Sequence, residues 1–92
     1  MRIVGEIHHP SLKITVFKND GKFSVKAEFG LIEQIFKFRD DPRLETFDDV
    51  AKVIDSIFIK EIESIFKTML EARHNALHRN LRELEEEFDT II

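Results

Sequence analysis

Residues 16–25 read VFKNDGKFSV, and this stretch decides the first half of the fold. Apolar and polar side chains alternate on both sides of the segment 19–22, which is the pattern of two half-buried strands joined by a tight turn. Asp20-Gly21 suits the two central positions of a type I′ turn, whose twist matches that of antiparallel strands. The predicted pairs are Lys18–Phe23, Val16–Val25, Ile14–Ala27 and Leu12–Phe29. A three-residue loop would instead set Val25 opposite Thr15 and swap the faces, so the pattern favours the two-residue turn.

Two further turns extend this hairpin. A turn at His9-Pro10 predicts Ile7 opposite Leu12 and Ile3 opposite Val16. Gly30-Leu31 fits a type II′ turn, with glycine first, and predicts the pairs Phe29–Ile32, Val25–Phe36 and Phe23–Phe38. All three turns place apolar residues on the same face, so we predict a four-stranded antiparallel β-meander over about residues 2–38. The alternative, one long strand over 22–38 with a bulge at Gly30, fits less well.

The predicted register divides the sheet residues between two faces. Gly5 and Ala27 fall in one row of the inner face, where small side chains leave a channel for a helix to cross. The outer face carries both cations and carboxylates, among them Lys13, Lys26 and Glu28. We therefore expect helices to cover the inner face and solvent to cover the outer one.

The second half of the chain, about residues 46–90, is predicted to be helical. Thr46 suits an N-cap, and the acidic residues after it suit the first turn. No Gly or Pro follows, and a first apolar stripe has helical spacing. Its members are Val50, Ile54, Ile57, Phe58, Ile62, Ile65 and Met69. The fold class is thus α+β, and residues 1–92 form a single domain.

A second stripe follows the first and is rotated from it. Its members are Leu70, His74, Leu77, Leu81, Leu84, Phe88 and Ile91, with the alternating four- and three-residue spacing of a coiled-coil seam. One geometry is a helical hairpin with a break near 73–75, packed on the chain's own sheet. The other is a single long helix from 47 to about 89 that buries the stripe on another chain. Four strands are too wide for one helix, so both geometries need a second helix. Local propensity favours the long helix and a homodimer.

Charge order predicts how such a dimer would pair. An antiparallel arrangement centred near Leu81 sets the basic stretch, including Arg73, opposite five carboxylates between 83 and 89 of the copy. A parallel arrangement would set like charges side by side. The predicted interface residues are Leu70, His74, Leu77, Leu81, Leu84, Phe88, Arg79 and Arg82.

Composition bounds the function of the chain. The net charge is −4, which argues against a general polyanion binder, and there is no cysteine for disulfides or thiolate chemistry. No stretch reaches the roughly 18 apolar residues of a membrane span, and the N-terminus lacks a signal-peptide pattern. We expect a soluble cytoplasmic protein with no cofactor and no membrane partner, and we expect it to act as a non-enzymatic assembly or protein-interaction module.

Two other functions follow from particular residues. A nucleic-acid-associated protein could use the basic run 73–82 or the outer sheet face, although that face offers only Phe17 for base stacking. A small metal-dependent enzyme could use Glu71, His74 and His78, which share a helix face. That site needs further ligands, and Arg82 lies one turn away, so both functions are weaker predictions. The adjacent pair His8-His9 is interpreted as a surface turn.

Overall fold

The computed structural model describes residues 1–81 of the chain, and within them the fold is α+β. A four-stranded antiparallel sheet has the neighbour-to-neighbour order β1-β2-β3-β4, and two helices follow it. The predicted meander is therefore confirmed. The elements are β1 Arg2–Ile7, β2 Lys13–Asn19, β3 Lys22–Phe29, β4 Ile32–Lys37, α1 Phe47–Val53 and α2 Ser56–Asn80.

The two turns after β2 have the predicted form. Asp20 and Gly21 have φ angles of 52° and 77°, and a type I′ turn requires φ above zero at both positions. Gly30 has a φ of 57°, as the first central residue of a type II′ turn requires. The predicted pairing of β2 with β3 and of β3 with β4 is confirmed, including Val16 with Val25 and Val25 with Phe36.

The predicted register of β1 on β2 is wrong. Ile7 pairs with Ile14, two residues from the predicted partner Leu12. The cause is the loop between the strands, which wraps around the ring of His9 instead of reversing at His9-Pro10. Nδ1 of His9 accepts the N–H groups of Ser11 and Leu12, each at 3.1 Å. The loop therefore uses more residues than a tight turn.

A bulge in β1 moves Ile3 to the other face of the sheet. The register shifts between Ile3 and Gly5, so Ile3 pairs with Phe17 and its side chain is 62% exposed on the outer face. The prediction that Ile3 lies in the inner face opposite Val16 is thus wrong. Gly5 takes that place.

Gly5 brings β1 against the start of α1. A Cβ atom at this position would lie 2.6 Å from Cε2 of Phe47, closer than a carbon–carbon contact allows. The predicted row that joined Gly5 to Ala27 is wrong, because Gly5 pairs with Val16 and Ala27 pairs with Ile14. The missing side chain admits a ring of α1.

The helical region is broken at Ile54-Asp55. The predicted N-cap is confirmed, since the Thr46 hydroxyl accepts the N–H of Asp49 in a capping box. The uninterrupted helix from residue 47 is nevertheless wrong, because the Asp55 carboxylate accepts the N–H of Phe58 and starts α2 anew. The break proposed near 73–75 is also wrong, since α2 runs through those residues.

The break supplies the second helix that the sheet width demands. Phe47 of α1 packs over β1, while the backbone of α2 packs over β4, where Nε2 of Gln34 donates to the carbonyl of Ile62 at 3.0 Å. Because α2 starts in a new phase, Phe66 is buried in place of the predicted Ile57 and Ile65, which are exposed. The core consists of Leu12, Ile14, Val16, Phe23, Val25, Ala27, Val50, Ile54, Ile62 and Phe66.

Candidate protein-interaction surface

Helix α2 is longer than the sheet beneath it. Its 25 residues span about 37 Å at 1.5 Å per residue. The eight residues of β3, the longest strand, span about 26 Å at roughly 3.3 Å per residue. The last buried residue of α2 is Phe66. After Met69, which packs against the core, the described turns of α2 contribute no side chain to it.

A narrow apolar strip follows along these turns. Leu70, His74, Leu77 and Leu81 are separated by four, three and four residues. At about 100° per residue, their directions around the helix axis fall within roughly 60° of one another. We call these four residues the distal strip. It is rotated by roughly 60° from the direction in which Ile62 and Phe66 face the sheet.

The members of the distal strip differ in exposure. Leu70 is 41% exposed and Leu81 is 45% exposed, whereas Leu77 is half-buried. His74 and Arg79 are exposed. The remaining predicted interface residues, Arg82, Leu84 and Phe88, lie outside the described residues. The structure thus gathers the first part of the predicted interface on one helix.

The helical geometry reaches the end of this strip. Leu81 is the C-cap of α2, and its N–H donates to the carbonyl of Leu77 at 2.8 Å. Nδ2 of Asn80 donates to the carbonyl of Ala76 at the same distance. The cap N–H of Leu81 therefore continues the helical hydrogen-bond pattern, and the Asn80 side chain adds a second donor in the last turn.

A shallow cleft adjoins the near end of the distal strip. Its volume is about 240 Å³, and it lies where α2 crosses the loop before β2 and the end of β3. The lining residues are Ser11, Leu12, Phe29, Glu63, Phe66, Lys67 and Leu70. Glu63 also approaches Nε2 of His9 at 3.4 Å and so ties α2 to the β1–β2 loop. Sequence patterns missed this cleft, because its walls come from separate elements and share no local spacing.

The three residues of the predicted metal site do not form one. The rings of His74 and His78 stack with centroids 6.1 Å apart. Within residues 1–81, no three His, Cys, Asp or Glu side chains converge in a way that could hold a metal ion, so Glu71 does not complete a site with the two histidines. Stacking instead places the two rings along one flank of the helix.

An aromatic ring and a lysine ammonium lie together on the outer sheet face. Phe17, the aromatic residue predicted for base stacking, has the Lys26 ammonium 5.4 Å above its ring centroid. The same ammonium is 3.0 Å from Oε1 of Glu28, and this hydrogen bond, with further attraction from Glu28 and Glu33, raises the pKa of Lys26. The Lys26 ammonium is therefore paired with a carboxylate of the same strand.

Comparison of the chain with protein-family models, with curated proteins and with solved structures finds no match in any of the three. In the part of the chain that the structure describes, no helix combines the length and the apolar character needed to cross a bilayer. Function must accordingly be inferred from the surfaces of the molecule.

Proposed function

We propose that the protein is a non-enzymatic assembly module that forms a homodimer through the distal strip of α2. The observation that carries this proposal is the extent of α2 past its own sheet, with Leu70 and Leu81 exposed along one narrow line. Leucines at this spacing are the side chains that interlock when two helices pack along a seam. A second copy of the chain supplies a matching seam.

Charge supports an antiparallel pairing of the two copies. Arg73 and Arg79 precede Leu81, and the sequence after it has five carboxylates between positions 83 and 89. Pairing about a centre near Leu81 brings the basic stretch of one copy to the acidic stretch of the other. Parallel pairing would oppose like charges, which disfavours it. The proposed partners of Leu70 and His74 then lie beyond residue 81, outside the described residues.

The test is the variant Leu81→Glu, measured by light scattering on the purified chain. A carboxylate at the centre of the seam would lie beside its own copy in a desolvated contact, which costs several kcal/mol. We expect the mass of the variant in solution to be half that of the natural chain. Leu31→Glu is the matched control, because Leu31 is 88% exposed at the β3–β4 turn and does not belong to the distal strip.

Circular dichroism separates loss of assembly from loss of folding. Leu81 ends α2 outside the core, so a Leu81→Glu variant that has lost the helix contact should keep its sheet and most of its helix signal. An unchanged mass in Leu81→Glu, or the same loss of mass in Leu31→Glu, would reject the distal strip as the assembly surface.

A further inference from the structure

Within residues 1–81, strand β4 has one backbone edge that pairs with no other strand. It ends the sheet on one side, and the N–H of Phe38 donates to the carbonyl of Phe23 at 2.9 Å. Because hydrogen-bonded pairs alternate along an antiparallel ladder, every second residue before Phe38 directs its N–H and C=O toward β3. The residues between them direct these groups away from the sheet. We call these three residues the open edge: Glu33, Ile35 and Lys37.

The open edge is better suited to pairing than the opposite side of the sheet. Among residues 1–81, the structure gives the backbone groups of the open edge no hydrogen-bond partner. β4 is regular over its six residues, without a bulge or a proline. β1, the other edge strand, is interrupted by its bulge between Ile3 and Gly5, which disrupts a ladder. A regular edge with unpaired N–H and C=O groups can pair with another strand.

The side chains of the open edge are complementary to themselves. Ile35 is 53% exposed on the outer face, with Glu33 two residues before it and Lys37 two residues after it. In an antiparallel pair, Ile35 can lie opposite Ile35 of a copy. Glu33 of each chain then lies opposite Lys37 of the other. One apolar contact is thus flanked by two ion pairs on the same face.

We propose that β4 pairs with β4 of a second copy, antiparallel and centred on Ile35, so that two sheets join into one of eight strands. The outward N–H and C=O groups of Glu33, Ile35 and Lys37 all find partners in this register, because residues of the same alternation meet one another. Such a contact is isologous, so each chain contributes the same surface.

Neighbouring registers are less favourable. Moving the centre by one residue toward the β3–β4 turn sets Ile35 opposite Glu33 of the copy. Moving it by one residue the other way sets Ile35 opposite Lys37. Either shift places a charge against the exposed isoleucine and loses the central apolar contact. The charge pattern of β4 therefore selects one register.

Helix α2 adds an apolar flank above this edge. Ile62 faces β4 through the hydrogen bond of its carbonyl with Gln34. Glu63, about 100° further around the helix, reaches His9 in the β1–β2 loop. Ile65 lies about 60° to the other side of Ile62, which is the side of the open edge, and it is exposed. Two copies joined along β4 bring these flanks toward each other.

This contact lies on a different part of the molecule from the distal strip, so it goes beyond the proposed function. The test is amide hydrogen exchange of the natural chain, monitored by NMR at a series of protein concentrations. We expect the amides of Glu33, Ile35 and Lys37 to exchange at least about tenfold more slowly at the highest concentration than at the lowest. The amides of β4 that face β3 should be slow throughout.

Charge exchange provides the matched variants. Lys37→Glu alone sets like charges opposite each other twice in the dimer, and Glu33→Lys alone does the same. Each single variant should lose the concentration-dependent protection of the open edge. The double variant Glu33→Lys/Lys37→Glu restores opposite charges and should regain the protection. Both substituted positions are exposed, and slow exchange of the inward amides of β4 verifies that the sheet is intact.

Fast exchange of the open-edge amides in the natural chain at every concentration would overturn the proposal. A strand of a different protein would then be the remaining candidate partner of this edge. Equal protection of the open-edge amides in the single and double variants would also overturn the proposal. Protection that persists in Leu81→Glu supports β4 pairing even where the distal strip fails its own test, so the two proposals fail separately.

Discussion

Replacing Gly5 by alanine tests whether β1 and α1 meet as closely as the structure places them. The new Cβ would lie 2.6 Å from Cε2 of Phe47 and 2.9 Å from both Cδ2 and Cζ. Carbon atoms pack at about 3.5–4.0 Å, so the ring must move by roughly 1 Å or the helix must shift. Overpacking of this kind costs about 1–3 kcal/mol.

The alanine also restricts the unfolded chain, which opposes the steric cost. Gly→Ala stabilises a protein by about 0.4–1 kcal/mol where the backbone accepts it, and Gly5 does not have a positive φ. From the middle of each range, the net loss of unfolding free energy is about 1 kcal/mol. For a chain of this size that corresponds to a melting temperature lower by roughly 4–8 °C.

The assay is thermal and urea unfolding of a double-mutant cycle with Phe47→Leu. Leucine lacks the ring atoms that the new Cβ of Gly5→Ala would meet. In the Phe47→Leu background we therefore expect Gly5→Ala to lower the free energy of unfolding only slightly or to raise it. The difference between the two backgrounds isolates the steric contact. If Gly5→Ala stabilises the protein equally in both, then Phe47 does not lie over Gly5 and the placement of α1 is wrong.

Three further predictions concern polar groups. Oγ1 of Thr15 is buried and has no hydrogen-bond partner in residues 1–81. Thr15→Val should therefore raise the free energy of unfolding by about 1 kcal/mol. Urea unfolding should show a higher midpoint, and a lower midpoint would contradict this. His9→Ala leaves two loop N–H groups without their acceptor and should cost about 1 kcal/mol in the same assay, while His9→Asn, which offers an amide oxygen, should cost less. Hydrogen bonds from the side chain and then the backbone N–H of Arg43 lower the pKa of Asp41 to about 2. Because the pKa of Asp41 is lower in the folded chain, its ionised carboxylate contributes to stability above pH 3.8. This contribution is lost as the pH falls through 2. NMR titration should show Arg43→Gln, which keeps the backbone N–H, moving the Asp41 pKa only part of the way to 3.8.

The parts of the fold that depend on local chemistry could be predicted from the sequence. Asp20-Gly21 and Gly30 dictate turn geometry through their backbone, and each turn fixes the register of the strands beside it. The N-cap at Thr46 is equally local, since its hydroxyl bonds three residues ahead. These features require no knowledge of distant contacts.

The parts of the fold that depend on contacts between distant residues could not be predicted from the sequence. The His9 ring turned a predicted tight turn into a longer loop, and the bulge in β1 then moved Ile3 to the opposite face. The break at Ile54-Asp55 lets α1 cover β1 and α2 cover β4, and the spacing of apolar residues along the sequence does not show the width of the sheet. For the candidate surface, spacing predicted the distal strip, whereas the open edge of β4 follows from the strand order and was missed.

The neighbour-to-neighbour order of the sheet also has a kinetic consequence. Each strand pairs only with the strand next to it in the chain, and the β2–β3 and β3–β4 connections are two-residue turns. Closing such short loops costs little entropy, so the search for the native pairing is brief. The β2–β3 hairpin, with its I′ turn, can form before any residue of α2 is placed. Folding should therefore begin at the hairpin, and helix docking should follow it.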